Sequence, residues 1–205
     1  MVSFSEDIFQ ETYGKVKKLI VTKKLTPGQL ITQQRLSHTL NIKDETIPVV
    51  LQQLQEESLL VGKLDNGFAV RELSEQDICE MFDCRLALET MTVKLFTLNV
   101  PQSKIDDLRN LLVPFEKGPQ NVYVFHKIDR YFHEFIAKNC GNRIMYELFK
   151  SAKILPFMDL VGLARPLNAI LQEHLNIVSA MHQRDEEMAI RAIQLHLQNT
   201  KKSHI

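Results

Sequence analysis

The sequence predicts a mainly α protein in two parts: an N-terminal winged helix-turn-helix with a small β-hairpin wing over residues 1–72, and a C-terminal all-α helical bundle over residues 73–205. Three observations predict it. Helical periodicity in the first third gives way to two short β-like runs around Asn66-Gly67, a dipeptide suited to a tight hairpin turn. No strand pattern recurs after Ser74. In one of the later helices Asp129 and His133 fall on the apolar stripe, where only an enclosing bundle has a use for them.

The first helix runs from Ser5 to about Lys24 on Ile8, Tyr13, Val16, Leu19 and Ile20, and Leu25-Thr26-Pro27-Gly28-Gln29 ends it. Thr32 caps a short second helix carrying Leu36 and Leu40, closed at Asn41, a residue that tolerates left-handed backbone. The third helix carries Ile47, Val50, Leu51 and Leu54. Pro48 is acceptable only in a first turn, so the start lies near Asp44 to Thr46. Leu59-Leu60-Val61 and Phe68-Ala69-Val70 then form the hairpin. Helix, helix-turn-helix and hairpin in this order make a winged helix-turn-helix.

Ser74 with Glu75 and Asp77 opens the bundle as a capped helix with the inner stripe Ile78, Phe82, Arg85, Leu88, Thr92 and Leu95, ended by Pro101. Further helices are expected from about Ser103 to Val113, through Phe125 to Cys140 up to the Gly141-Asn142 break, from Arg143 to about Ile154, from roughly Pro166 to Gln183, and from Asp185 to about Lys201.

The 25 basic and 25 acidic side chains cancel, so no global field argues for nucleic acid or a membrane surface. The N-terminus lacks a leader pattern and no apolar run is long enough to span a bilayer. Cys79, Cys84 and Cys140 form no CxxC pair and suit a reducing compartment. The expectation is a cytoplasmic protein.

Asp129 and His133 stand one turn apart, a spacing that lets both reach one ion. His174 and His196 lie on the inner stripes of the last two helices. The turn Gln183-Arg184-Asp185 sits at their midpoint, so an antiparallel hairpin holds the two imidazoles at equal height. Three histidines and one carboxylate suit a divalent metal such as zinc, nickel or manganese rather than magnesium or calcium. Four ligands fill a tetrahedral site, whereas a six-coordinate metal keeps positions for an oxygen ligand. The alternative for each histidine is a core residue bonded to a backbone carbonyl. His38, His126, His182 and His204 are read as surface or ordinary.

Leu25-Thr26-Pro27-Gly28-Gln29-Leu30, Leu51-Gln52-Gln53-Leu54, Asn66-Gly67-Phe68, Arg85-Leu86-Ala87-Leu88-Glu89, Asp129-Arg130-Tyr131-Phe132-His133 and Glu173-His174 occur in an order and spacing that resemble the GntR family of bacterial transcription regulators, in its FadR-type branch. The resemblance implies a homodimer that binds a DNA operator under the control of a small organic acid. It also implies that Asp129, His133, His174 and His196 hold a metal beside the effector. Arg85 matches a cavity-facing arginine of the family, with an i,i+4 pair to Glu89 as the alternative. Asn142 is a second effector-pocket candidate, or a helix cap.

The DNA-contacting candidates are Gln33, Gln34, Arg35, Lys43, Thr46, Lys63, Asn66 and Gly67, together with the lysines of the first helix; each is otherwise a solvated surface residue. The recognition helix departs from the family. Asp44 and Pro48 stand where arginines are expected, and residues 1–70 carry eight charges of each sign. The function expected is a metal-containing, ligand-responsive transcription regulator, not an enzyme, since no general base or nucleophile is positioned beyond the ligands. The alternative is a metal- and ligand-binding module whose winged part contacts protein.

Overall fold

The structure is a computed structural model that describes residues 6–42, 44–63, 67–117 and 121–205. It divides into two compact units, Met1–Leu73 and Ser74–Ile205.

In the first unit, helices α1 (Glu6–Val21), α2 (Gln33–Leu40) and α3 (Ile47–Glu56) pack with a three-stranded antiparallel sheet, β1 (Leu30–Ile31), β2 (Leu60–Gly62) and β3 (Phe68–Val70), ordered β1-β3-β2. This is a winged helix-turn-helix. The Thr32 hydroxyl accepts from the Arg35 amide at 3.3 Å to start α2, and Asn41 closes it at φ 51°. A 3-10 turn at Asp44–Thr46 leads into α3, so Pro48 falls in the first turn, where its missing N–H costs nothing. The strand β1 was not expected. It is two residues long, too short for an alternating pattern, and is held by pairing Leu30 to Ala69 and Ile31 to Phe68. Val16, Ile20, Leu36, Ile47, Val50, Leu54, Leu59, Leu60 and Ala69 fill the core between helices and sheet.

The second unit is all helical: α4 (Glu75–Asn99), α5 (Gln102–Leu112), α6 (Val122–Asn139), α7 (Arg143–Ser151), α8 (Ile154–Val161), α9 (Leu167–His182) and α10 (Glu186–Lys202). Ser74 and Asp77 form a reciprocal capping box at the start of α4. The helix α4 is the axis of the bundle, touching α6, α7, α8, α9 and α10. With neighbours on several sides, its buried stripe is Phe82, Arg85, Glu89, Thr92, Val93 and Phe96, broader than the expected one and shifted from Leu88 to Glu89. The helix expected from Arg143 to about Ile154 ends at Ser151, and a further helix that was not expected, α8, follows it. Lys153 takes left-handed backbone at φ 54° and a new helix starts, with Pro156 in its first turn. Asp185 caps α10 by accepting from the Met188 amide at 2.8 Å, and Arg184 ties the α9–α10 turn to the Thr97 carbonyl of α4 at 2.7 Å.

Candidate metal centre

Helix α6 presents Phe125, Asp129, Phe132, His133, Ile136 and Cys140 to the core, all buried, because these positions recur at the helical period. The α9–α10 hairpin brings His174 and His196 level, with ring centroids 4.8 Å apart. One ligand atom from each of Asp129, His133, His174 and His196 lies within 4.8 Å of the others, and all four residues are buried. Asp129 Oδ1 stands 3.3 Å from His174 Nε2 and 3.9 Å from His133 Nε2.

Carboxylates set the tautomers of two of these imidazoles. His133 places Nδ1 against Glu89 Oε2, and His196 donates through Nδ1 to Glu173 Oε2 at 2.8 Å, so in both rings Nε2 is the nitrogen left for the cluster. Burial alone would raise the Glu89 carboxyl, but Arg85 and His133 beside it hold it at about 2. Burial would likewise raise Glu173; hydrogen bonds from His196, Arg165 and Asn199 hold it at about 2. Burial pushes His174 well below its ordinary value, helped by the neighbouring His196, His133 and Arg85. Burial also lowers His196, against the opposing pull of Glu173. Both are therefore kept neutral, the form that coordinates metal. Phe132 stacks on His174 with centroids 4.1 Å apart and fixes its plane.

Whether these residues fit a metal is tested by their unpaired atoms. His133 Nε2 and both nitrogens of His174 are buried without a hydrogen-bond partner. Each such atom costs about 1–3 kcal/mol unless something accepts from or binds to it. Two groups on one ion, each at about 2.1 Å, stand roughly 3 to 4 Å apart, which the 3.3 and 3.9 Å separations match. The donor set fits a borderline transition metal. A bound divalent ion would satisfy the open nitrogens and offer a Lewis-acid position to an oxygen ligand.

A small cavity of about 20 Å³ adjoins the cluster, lined by Arg85, Asp129, Leu163, Arg165, His196 and Thr200 among others. Arg85 is buried and donates through Nε to Glu89 Oε1 at 2.6 Å, so the helical pair weighed in the sequence is present; its Nη2 has no partner. Arg165 grips Glu173 with two bonds of 2.7 and 2.6 Å. Asn142 is exposed and caps α7, accepting from the Met145 amide at 3.1 Å; it does not line the cavity.

Glu89, Glu173 and Arg165 were missed as parts of the centre. Glu89 had a signal: it lies four residues after Arg85 and completes the stripe Phe82, Arg85, Glu89, Phe96. Arg165 had none, since it sits on the loop between α8 and α9. His126 is not a surface residue: it is buried and its Nε2 lies 3.0 Å from Asp159 Oδ1 on α8.

In the winged unit Gln33, Gln34, Arg35 and Lys63 are exposed, and the Lys63 amide donates to Gly67 O at 2.9 Å at the base of the hairpin. Thr46 is corrected: it is 2% exposed at the junction of the 3-10 turn with α3, where packing rather than contact uses it. Lys17 is corrected too, being buried and held by Tyr13 and Glu57. Lys43 and Asn66 lie outside the described residues.

A family model described as the FCD domain matches residues 80–199. The HTH-type transcriptional regulator YdhC of Bacillus subtilis is 24% identical over 200 residues, covering 92% of this chain and 87% of that protein. A transcriptional regulator GntR from Rhodococcus sp. RHA1 superposes with a TM-score of 0.71 at 19% identity, over 95% of each chain. The chain belongs to the GntR family and carries an FCD domain. The metal-free FCD domain of TM0439 is also similar, with a TM-score of 0.57 at 22% identity over 65% of this chain and 95% of that one. At these identities the two solved structures establish the fold of the winged unit and of the FCD domain, and the chemistry at the cluster rests on the residues above. No described helix is long and apolar enough to cross a membrane.

Proposed function

We propose that this GntR-family protein is a cytoplasmic, ligand-responsive transcription regulator of the FadR-type branch. Its FCD domain binds a divalent metal through Asp129, His133, His174 and His196. The observation that carries this is the convergence of open, buried imidazole nitrogens on one carboxylate inside the bundle. The unpartnered Nη2 of Arg85 supports a small organic acid as effector, because a buried guanidinium nitrogen left without an acceptor, beside an Nε already bonded to Glu89, favours a carboxylate. As a homodimer with two winged units, the protein would read an operator with two half-sites, and the effector would act by binding one arrangement of the pair more tightly. The relatives' descriptions as HTH-type regulators support the DNA-binding role.

A second reading has one specific observation in its favour. The groove between α3 and the wing is lined by Thr32, Gln33, Pro48, Gln52, Gln55 and Lys63, with a single cation among them. Phosphate neutralisation ordinarily requires several. The winged unit would then bind protein, with the metal and effector site intact. Genomic binding and mobility-shift measurements with metal and candidate acids supplied separate the two. A sequence-selective complex that is lost when Lys15, Lys18 and Lys63 are reversed to Glu supports the regulator; absence of any sequence preference removes it.

A further inference from the structure

Between Glu45 and Glu56 the chain has no charged side chain. Ile47, Val50, Leu51 and Leu54 of α3 are buried in the winged unit, so the helical period turns Pro48, Val49, Gln52 and Gln55 outward. Val49 is 47% exposed, a branched aliphatic side chain at the N-terminal end of an uncharged face. Of the three glutamines on α3, two are engaged away from that face. Gln53 donates to Glu57 Oε1 at 3.1 Å, and Gln55 lies against the wing, its Nε2 3.1 Å from where a Cβ on Gly62 would stand. Gln52 stands one turn after Pro48 and Val49, and its Nε2 donates to Glu56 Oε1 at 3.3 Å. A primary amide has two N–H donors and a carbonyl, so this bond orients the group and leaves one donor and one acceptor side by side.

Each base pair shows its own pattern in the major groove of duplex DNA. Guanine offers two acceptors there and is met by the paired donors of Arg or the ammonium of Lys, neither of which α3 carries. Adenine offers an acceptor, N7, beside a donor, the N6 amine, and a glutamine amide matches both. Thymine adds a methyl group, which an exposed aliphatic side chain covers. Resting on the DNA-binding reading of the winged unit, we propose that α3 reads A·T pairs: Gln52 bonds bidentately to one adenine, and Val49 covers the methyl of a thymine in an adjoining pair. Arg35 on α2 and Lys63 after β2 are exposed on elements that pack with α3, and they supply phosphate contacts that set its position. With so few cations on this face, the base contacts carry the selectivity, and Gln52 and Val49 are the residues that specify it.

Selection of duplexes from a random-sequence pool by the full chain, with and without zinc, finds the preferred site; mobility shifts with that site and its base analogues test the assignment. The half-site should hold adjoining A·T pairs. Exchanging the adenines for 7-deazaadenine, which removes the N7 acceptor, should weaken wild type at least about fivefold and Q52A much less. Exchanging thymine for uracil, which removes only the methyl, should weaken wild type about fourfold and leave V49A unchanged. Q52R should move the preferred base at its position from adenine to guanine. Both side chains are exposed, so V49A and Q52A should unfold in denaturant as wild type does. A half-site built on G·C pairs overturns the assignment, as does an equal response of wild type and Q52A to 7-deazaadenine, of wild type and V49A to uracil, or a Q52R chain that keeps the wild-type preference. If no duplex is enriched even at low salt, the DNA-binding reading itself fails and takes this one with it.

Discussion

Helix α6 carries two buried histidine–aspartate groups about one turn apart, and they are built differently. In the first, His126 Nε2 lies 3.0 Å from Asp159 Oδ1 and Arg130 Nε lies 3.5 Å from the other oxygen, so one carboxylate serves one imidazole and one guanidinium. That group joins α6 to α8. In the second, Asp129 stands among three imidazoles, and the Nε2 atoms of His133 and His174 have no hydrogen-bond partner. The histidines and aspartates of both groups are buried. What separates a structural pair from a candidate metal centre is whether several donors converge with open lone pairs while carboxylates behind them fix the tautomers.

Breaking the second group should have the largest effect. Single changes to Ala at His133, His174 or Asp129 should lower divalent metal affinity by more than about 100-fold, since each removes a ligand rather than a supporting partner. Calorimetric titration reads this directly. Removing the orienting carboxylates, as in E89Q or E173Q, should cost about 10- to 100-fold in the same titration. Changing the first group sharpens the contrast from the other side. H126A should leave metal affinity within about threefold and appear in denaturant unfolding as a loss of roughly 1–3 kcal/mol, the cost of a buried carboxylate deprived of its donor. A large loss of metal affinity in H126A would erase the distinction.

A pH effect follows from the second group. Burial keeps His174 and His196 below their ordinary value of 6.5 in the folded chain. As pH falls through about 6.5 the unfolded chain takes protons that the folded one refuses, so the metal-free protein loses stability from there downward. The slope is at most about 1.4 kcal/mol per pH unit for each histidine. Glu89 and Glu173, held at about 2, add a second loss between their ordinary 4.5 and about 2. Above 6.5 none of these groups contributes a slope. Chemical denaturation of the chelated protein at pH 7.5 and 5.5 checks the sign; equal stability at both values would contradict it.

The fold was legible where local chemistry decided it. The Thr32 and Ser74 caps, the Asn41 closure and the placement of Pro48 each follow from one residue's backbone or hydrogen-bonding preference. The level placement of His174 and His196 follows from counting residues either side of the turn. What escaped was set by partners distant in sequence. β1 exists because β3 pairs with it, and α8 starts anew because Lys153 adopts a backbone that no local signal announces. Thr46 has the side chain of a surface contact, yet its neighbours bury it. The convergence of Asp129, His133, His174 and His196 was readable because helical period puts them on inner stripes. Glu173 and Arg165 were not, because what they do depends on partners on other elements, His196 and Asn199 of α10 for Glu173 and Glu173 itself for Arg165.

The most direct test of the central claim is the metal content, by native mass spectrometry, of the full chain purified without chelators, alongside a variant with His133, His174 and His196 all changed to Ala. The account predicts one transition-metal ion per chain in the wild type and none in the variant. Wild-type protein that is metal-free and indifferent to added zinc, nickel or manganese would contradict it.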